Sequence, residues 1–235
     1  MSRPERWQLG GNAPEVYETQ LVPAIFGPWA PLLVAHAALR AGEHVLDVAC
    51  GTGVVTRLAA PQVGPRGHVV GLDLNPGMLS RARALPPPEG ASIEWKEGDA
   101  GALPFDVTTF DAVFCQLGFQ YFPDRPKAAR EMRRVLKPTG RLIALVWRAL
   151  THSPGFAALA AALDRHVSPA AAAVMRAPFG FGDATGGVPW SAPSRRLPDG
   201  SYRRRRADGP LCLARGICAV PSGRFAAGQS RCCRR

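Results

Sequence analysis

The stretch Val45-Leu46-Asp47-Val48-Ala49-Cys50-Gly51-Thr52-Gly53 limits what this chain can fold into more than any other. An apolar run ends in a carboxylate, enters a turn with two glycines, and continues into residues 54–60, which suit a helix. Strand, glycine-rich turn and helix in that order let a ligand approach the backbone closely, because glycine has no Cβ and tolerates positive φ. In an open α/β sheet, ligands sit beyond the carboxyl ends of the strands. A small-molecule site is therefore expected beside Asp47 and Gly51.

The alternation continues along the chain. Apolar runs predict strands near residues 44–49, 67–73, 92–97, 110–116 and 141–147. Helices are expected at residues 54–60, from Pro76 onward, and at 126–136, 154–166 and 169–175. Asn75 suits an N-cap and Pro76 the first helical position. Lys137-Pro138-Thr139-Gly140 reads as a helix stop. Between Pro14 and Ala41, two or three short helices are expected, broken by Pro23, Pro28 and Pro31. Strands alternating with helices imply a parallel sheet with right-handed crossovers. Near-continuous apolar strands fit a sheet covered on both faces, a doubly wound α/β fold.

The formal net charge of +11 looks like a nucleic-acid signal, but its distribution argues against that partner. Residues 187–235 hold 11 arginines against two aspartates. Residues 1–186 keep 18 basic and 16 acidic side chains, a net of +2. The chain thus divides into a folded domain at 1–186 and an irregular Arg- and Cys-rich tail at 187–235. Cys212, Cys218, Cys232 and Cys233 lie in that tail with no zinc spacing, while Cys50 and Cys115 sit in apolar strands. The five histidines form no metal spacing either, so no metal is expected. No apolar run reaches the ~18–20 residues that span a bilayer, and the polar N-terminus lacks a signal-peptide core. A cytoplasmic protein is expected.

Three carboxylates come after three strands. Asp47 precedes the glycines, Asp73 ends the second strand 22 residues after Gly51, and Asp99 lies just past the third. A carboxylate at the second strand tip suits a ribose diol, whose two hydroxyls match its two oxygens. A dinucleotide site wants a third glycine where this chain has Thr56, and Asp47 would repel a pyrophosphate. A zwitterionic or cationic adenosine fits better than an anionic dinucleotide. A nicotinamide-dependent oxidoreductase is the rival reading that Thr56 speaks against.

Residues 45–53 resemble the first motif of class I S-adenosylmethionine-dependent methyltransferases. Asp73, within Gly71-Leu72-Asp73-Leu74-Asn75-Pro76-Gly77-Met78-Leu79, resembles that family's ribose-binding acid. Gly98-Asp99-Ala100 before Leu103-Pro104-Phe105 resembles its adenine-contacting loop. Phe110–Gln116 and Leu136–Leu142 are similar to its fourth and fifth strand regions. The nearest subgroup is the small-molecule C- and O-methyltransferases related to ubiquinone/menaquinone biosynthesis. The resemblance covers about residues 17–184.

The resemblance implies a Rossmann-like sheet of order 3-2-1-4-5 with N-terminal helices, and methyl transfer from S-adenosylmethionine to a small organic acceptor. It implies that backbone around Ala49, Gly51 and Gly53 meets the methionine part and that Asp47 helps hold its amino group. Asp73 would bind the ribose, with Leu74 and Met78 lining the adenine pocket. Asp99 would accept from the adenine amino group, with Ala100 donating a backbone N–H, and Gln116 would close the site beside the methyl group. Ala49 stands where the family more often has glycine. Tyr17 is read equally as a lid residue over the cofactor or as a packed interfacial tyrosine. No general base or other catalytic residue is identified. A methyltransferase that uses the basic tail on RNA, and a non-catalytic remnant, are the remaining rivals.

The family continues past the fifth strand into an antiparallel edge hairpin. Residues 179–184 still look like the run-in to it, whereas residues 187–235 carry no strand-turn-strand pattern. A shift of reading frame between about Ala184 and Arg195 would account for the tail and leave the hairpin missing.

Overall fold

The computed structural model describes residues 11–180. The tail, and with it the frame-shift reading and the fate of the edge hairpin, lies outside the described residues.

Five parallel strands form one sheet: β1 His44–Val48, β2 His68–Asp73, β3 Ser92–Glu97, β4 Phe110–Gln116 and β5 Leu136–Leu145. Their order is β3-β2-β1-β4-β5, as expected. The chain starts at β1, builds outward to β3, then crosses back to β4. The switch point therefore lies between β1 and β4, where a crevice opens beyond the strand tips.

Alternate side chains point to opposite faces of a strand. Val45, Val69, Ala112, Phe114 and Ile143 enter one core layer, with α2 (Ala30–Ala37) and α3 (Val54–Val63). Leu46, Val48, Val70, Leu72, Val113 and Leu142 enter the other, under α5 (Arg125–Val135). Each fully buried Val or Leu contributes about 1.5–3 kcal/mol. Both faces are covered, which is why the strands read as nearly continuous apolar runs.

The remaining helices are α1 (Ala13–Val16), α4 (Pro76–Ala84), α6 (Pro154–His166) and α7 (Pro169–Arg176). Asn75 caps α4 as expected: its Oδ1 accepts from the backbone N–H of Gly77 at 2.8 Å and of Met78 at 3.3 Å. The base of the sheet is tied by Arg141. Its guanidinium forks onto Glu43, at 3.0 and 2.6 Å, and donates to the Ala37 and Ala38 carbonyls at the end of α2.

Two expectations change. Lys137–Gly140 is not a simple stop: β5 begins at Leu136, paired with Phe110, and a register shift absorbs the next residues. Lys137 reaches back to Asp111, Nζ to Oδ2 at 2.8 Å, which holds this segment extended. In the N-terminal region Pro23 does not end a helix. α1 runs directly into a π-helical segment, Tyr17–Phe26, that contains Pro23. A prolyl ring clashes with the carbonyl four residues back in an α-helix. The wider register, seen where Gly27 N–H donates to Val22 O at 2.6 Å, relieves that clash.

Candidate functional site

The turn between β1 and α3 is left-handed at three residues: Ala49 (φ +58°), Gly51 (φ +57°) and Gly53 (φ +87°). The two glycines are filled in different ways. A Cβ on Gly51 would stand 3.2 Å from the hydroxyl of Tyr17, and one on Gly53 would stand 2.2 Å from the Trp95 ring. Gly51 therefore faces the cleft under the N-terminal segment. Gly53 instead makes room for Trp95 of β3, so its close approach is to the protein's own side chain. The methyl of Ala49 fits because Gly118, after β4, has none: a Cβ there would lie 2.8 Å from that of Ala49. Leu117, beside Gly118, is also left-handed, with φ +56°. Two strained turns thus meet at the tips of β1 and β4, across the switch point.

Asp47 is 1% exposed. Its Oδ2 accepts from the Thr56 hydroxyl at 2.7 Å and from the Thr56 N–H at 3.1 Å. Thr56, noticed in the sequence only as a missing glycine, is the residue that locks this carboxylate. Burial pushes Asp47 up to about 7, the Thr56 bonds pull back, and the neighbouring Asp73 adds to the rise.

Asp73 bridges two backbones. Its Oδ2 accepts from Gly51 N–H at 2.8 Å and its Oδ1 from Asn75 N–H at 2.8 Å. Each ionised carboxylate oxygen has room for a further donor. Burial raises its pKa against those hydrogen bonds. Among the described residues neither Asp47 nor Asp73 is in an ion pair. Two acids therefore sit under one glycine turn without a cation.

The other expected residues are distributed around this centre. Leu74 and Met78 lie at the tip of β2 and in the first turn of α4, Met78 buried. Asp99 is exposed, and its Oδ1 accepts from Gly101 N–H at 2.8 Å in the turn that carries buried Ala100. The next loop is pinned by α5: Arg134 donates to the Leu103 and Phe105 carbonyls at 2.8 and 2.7 Å, and Glu131 accepts from Leu103 N–H at 2.8 Å. Gln116 ends β4. Its Nε2 donates to the Phe26 carbonyl at 2.9 Å, which fixes the amide and leaves Oε1 buried and without a partner among the described residues. Thr52 Oγ1 is likewise buried and unpartnered among them.

The N-terminal segment closes the cleft from above. Tyr17 stacks on Phe26, ring centroids 4.8 Å apart, with its hydroxyl over Gly51. Burial, and then Asp73, raise its pKa well above the usual phenol range. Glu15 pairs with Arg81 of α4 at 2.8 Å, and Glu18 with Arg57 of α3 at 3.5 Å. These two clasps, Trp95 and the Thr56 lock were not read from the sequence. The two clasps join residues 66 and 39 positions apart, Trp95 comes from a different strand, and the Thr56 lock depends on how the turn folds back over nine residues. Among the described residues no group of three metal-ligating side chains occurs, and no helix is long and apolar enough to cross a membrane.

Residues 45–140 match the family model described as a methyltransferase domain. A demethylmenaquinone methyltransferase of Symbiobacterium thermophilum is 43% identical over 119 residues, 50% of this chain and 47% of the relative. A ubiquinone/menaquinone biosynthesis C-methyltransferase of Hahella chejuensis is 41% identical over the same length, 50% of this chain and 48% of that protein. An uncharacterized protein of Mycobacterium tuberculosis is 36% identical over 143 residues, 61% of this chain and 49% of the relative. This chain thus spans about half the length of the curated relatives it matches. Among solved structures, a putative methyltransferase from Bacillus halodurans overlays with a TM-score of 0.47 at 28% identity, covering 62% of this chain and 65% of that one.

Proposed function

We propose that this chain, whose residues 45–140 are a class I S-adenosylmethionine-dependent methyltransferase domain, transfers a methyl group from that cofactor to a small organic acceptor. The observation that carries the reading is the pair of carboxylates, buried Asp47 and half-buried Asp73, under a glycine turn at the switch point with no described cation beside them. Buried charges are ordinarily paired. A ligand that brings positive charge to this crevice relieves the pair, and an anionic dinucleotide worsens it.

The cofactor supplies an electrophilic methyl on a sulfonium. The protein's own residues bind, orient and exclude water. Asp73 is already aligned by Gly51 and Asn75, and its remaining lone pairs suit two adjacent ribose hydroxyls. Leu74, Met78 and Ala100 supply the apolar side of an adenine pocket, and Asp99 sits at its rim. Asp47 braces the turn through Thr56 and adds negative potential beneath the crevice once it ionises. Ala49, Gly51 and Gly53 shape the turn, and Gln116 at the end of β4 keeps an Oε1 with no partner among the described residues. Tyr17 and Phe26 cover the cleft and keep water out. In-line positioning and desolvation are then the chain's contribution to the rate.

Calorimetric titration with S-adenosylhomocysteine tests the reading. Binding is expected, with at least a tenfold loss in Asp73→Ala and a smaller loss in Asp73→Asn, which keeps one carbonyl acceptor. Circular dichroism should show both variants folded. A wild-type chain that takes up no S-adenosylhomocysteine at millimolar concentration overturns it.

A further inference from the structure

Residues 13–26 lie across the crevice and touch each of its walls. Pro14 packs on Gly77 in the first turn of α4: a Cβ on that glycine would stand 3.2 Å from the prolyl Cγ. Glu15 pairs with Arg81 farther along α4. Tyr17 stands over Gly51 in the turn after β1, and Glu18 pairs with Arg57 of α3, which also donates to the Thr52 carbonyl in that turn. At the far end, the Phe26 carbonyl accepts from Gln116 at the tip of β4. With the segment in this position, the face of Gly51 that meets the crevice is filled by the protein's own tyrosine and is closed to a ligand arriving from outside.

Little apolar burial holds the segment down. Pro14 and Val22 are its buried residues, while Val16 and Leu21 are 43% and 37% exposed. Segments with few buried apolar contacts open locally at small cost. The polar tethers therefore carry a large share of what keeps this one closed, and two of them are ion pairs. The Glu18 and Arg57 side chains are 15% and 18% exposed, so their pair is partly shielded from salt; Glu15, at 54%, is not. Closure also has a cost. Glu18 Oε2 is buried without a partner among the described residues, and opening would return that oxygen to water.

We infer that residues 13–26 form a strap that swings off the crevice each time the cofactor enters or leaves, and that Glu15–Arg81 and Glu18–Arg57 are an ionic latch that sets how often it does. Cofactor exchange in this protein is then governed by ionic strength. The inference rests on the methyltransferase reading above and adds to it a control on access.

The test follows S-adenosylhomocysteine binding to the full chain by stopped flow, read from tryptophan emission, since Trp95 packs against the turn at Gly53. That ligand is a zwitterion without net charge near neutral pH, so salt does not steer its diffusion. In wild type, association and dissociation rates should both rise about threefold between about 20 mM and 500 mM NaCl, with the dissociation constant held within about twofold. In Glu15→Gln/Glu18→Gln both rates should be about fivefold faster at low salt and respond little to more. Glu15→Arg alone should also be faster than wild type, and adding Arg81→Glu should return the rates to within about twofold of it. Rates that ignore salt in wild type would overturn the inference, and that arm holds even where a variant does not fold. So would rates unchanged in the folded double variant, or faster dissociation with association unchanged, which would make the pairs contacts of the bound state alone. Loss of binding in a double variant that circular dichroism shows folded would overturn it as well. Absence of S-adenosylhomocysteine binding by wild type at any salt is the separate failure of the methyltransferase reading.

Discussion

Asp47 carries the clearest pH signature in the protein. Its carboxyl sits at about 7 in the fold, chiefly through burial, against about 3.9 in an unfolded chain. The native state therefore holds the extra proton between roughly pH 4 and pH 7, and this carboxyl's contribution to stability falls as pH rises through that window. In Asp47→Asn, which keeps an oxygen for Thr56, the loss of melting temperature between pH 5 and pH 8 should be smaller than in wild type. Thermal unfolding at matched ionic strength checks this, and parallel pH courses would contradict it. Both the acid and its place before the glycines were visible in the sequence. Its imprisonment by Thr56 was not, because hydrogen bonding nine residues on depends on how the turn folds back over α3. Asp99 shows the converse: a strand-tip acid by pattern, it is exposed and engaged in its own turn.

At the level of elements, the glycine turn is held from two sides by different partners. Behind it, Trp95 of β3 presses on Gly53; above it, Tyr17 of the N-terminal segment presses on Gly51. Both glycines are left-handed, a conformation that costs an L-residue roughly 1–2 kcal/mol. Gly53→Ala adds a clash with a packed indole, so it should destabilise by about 3 kcal/mol in total. Gly51→Ala should cost about 1–2 kcal/mol in stability, since Tyr17 can retreat, and should weaken S-adenosylhomocysteine binding more than Gly53→Ala does. Urea denaturation of both variants, alongside calorimetry, would reveal the reverse ranking if it held. The strand, turn and helix were legible from residues 45–60 alone, because period and glycine placement are local. The N-terminal segment was legible only as helical: whether Tyr17 lay over the site depended on the Glu15–Arg81 and Glu18–Arg57 clasps, made across distant sequence.

For the molecule as a whole, the sheet order sets where chemistry can happen, and the charge lies elsewhere. Every residue of the proposed site falls between Tyr17 and Gln116, whereas most of the net positive charge belongs to residues 187–235. Truncation after Gly186 lowers the formal net charge from +11 to +2. It should leave S-adenosylhomocysteine affinity within twofold while removing salt-sensitive binding to a mixed-sequence RNA. Calorimetry and filter binding at two salt concentrations distinguish the outcomes, and a truncated chain that no longer binds S-adenosylhomocysteine would show that the site extends into the tail.

The alternating elements, the covered parallel sheet, the cap at Asn75 and the row of acids at strand tips follow from residue order, because each arises from spacing among near neighbours. Which way those groups face followed from how the elements pack. That packing turned Asp47 inward to Thr56, set Asp73 astride Gly51 and Asn75, filled Gly53 with Trp95, and tied the Gln116 amide to the Phe26 carbonyl. The direction of a side chain depends on what packs against it, and neighbours such as Trp95 against Gly53 and Gly51 against Asp73 come from other elements of the chain.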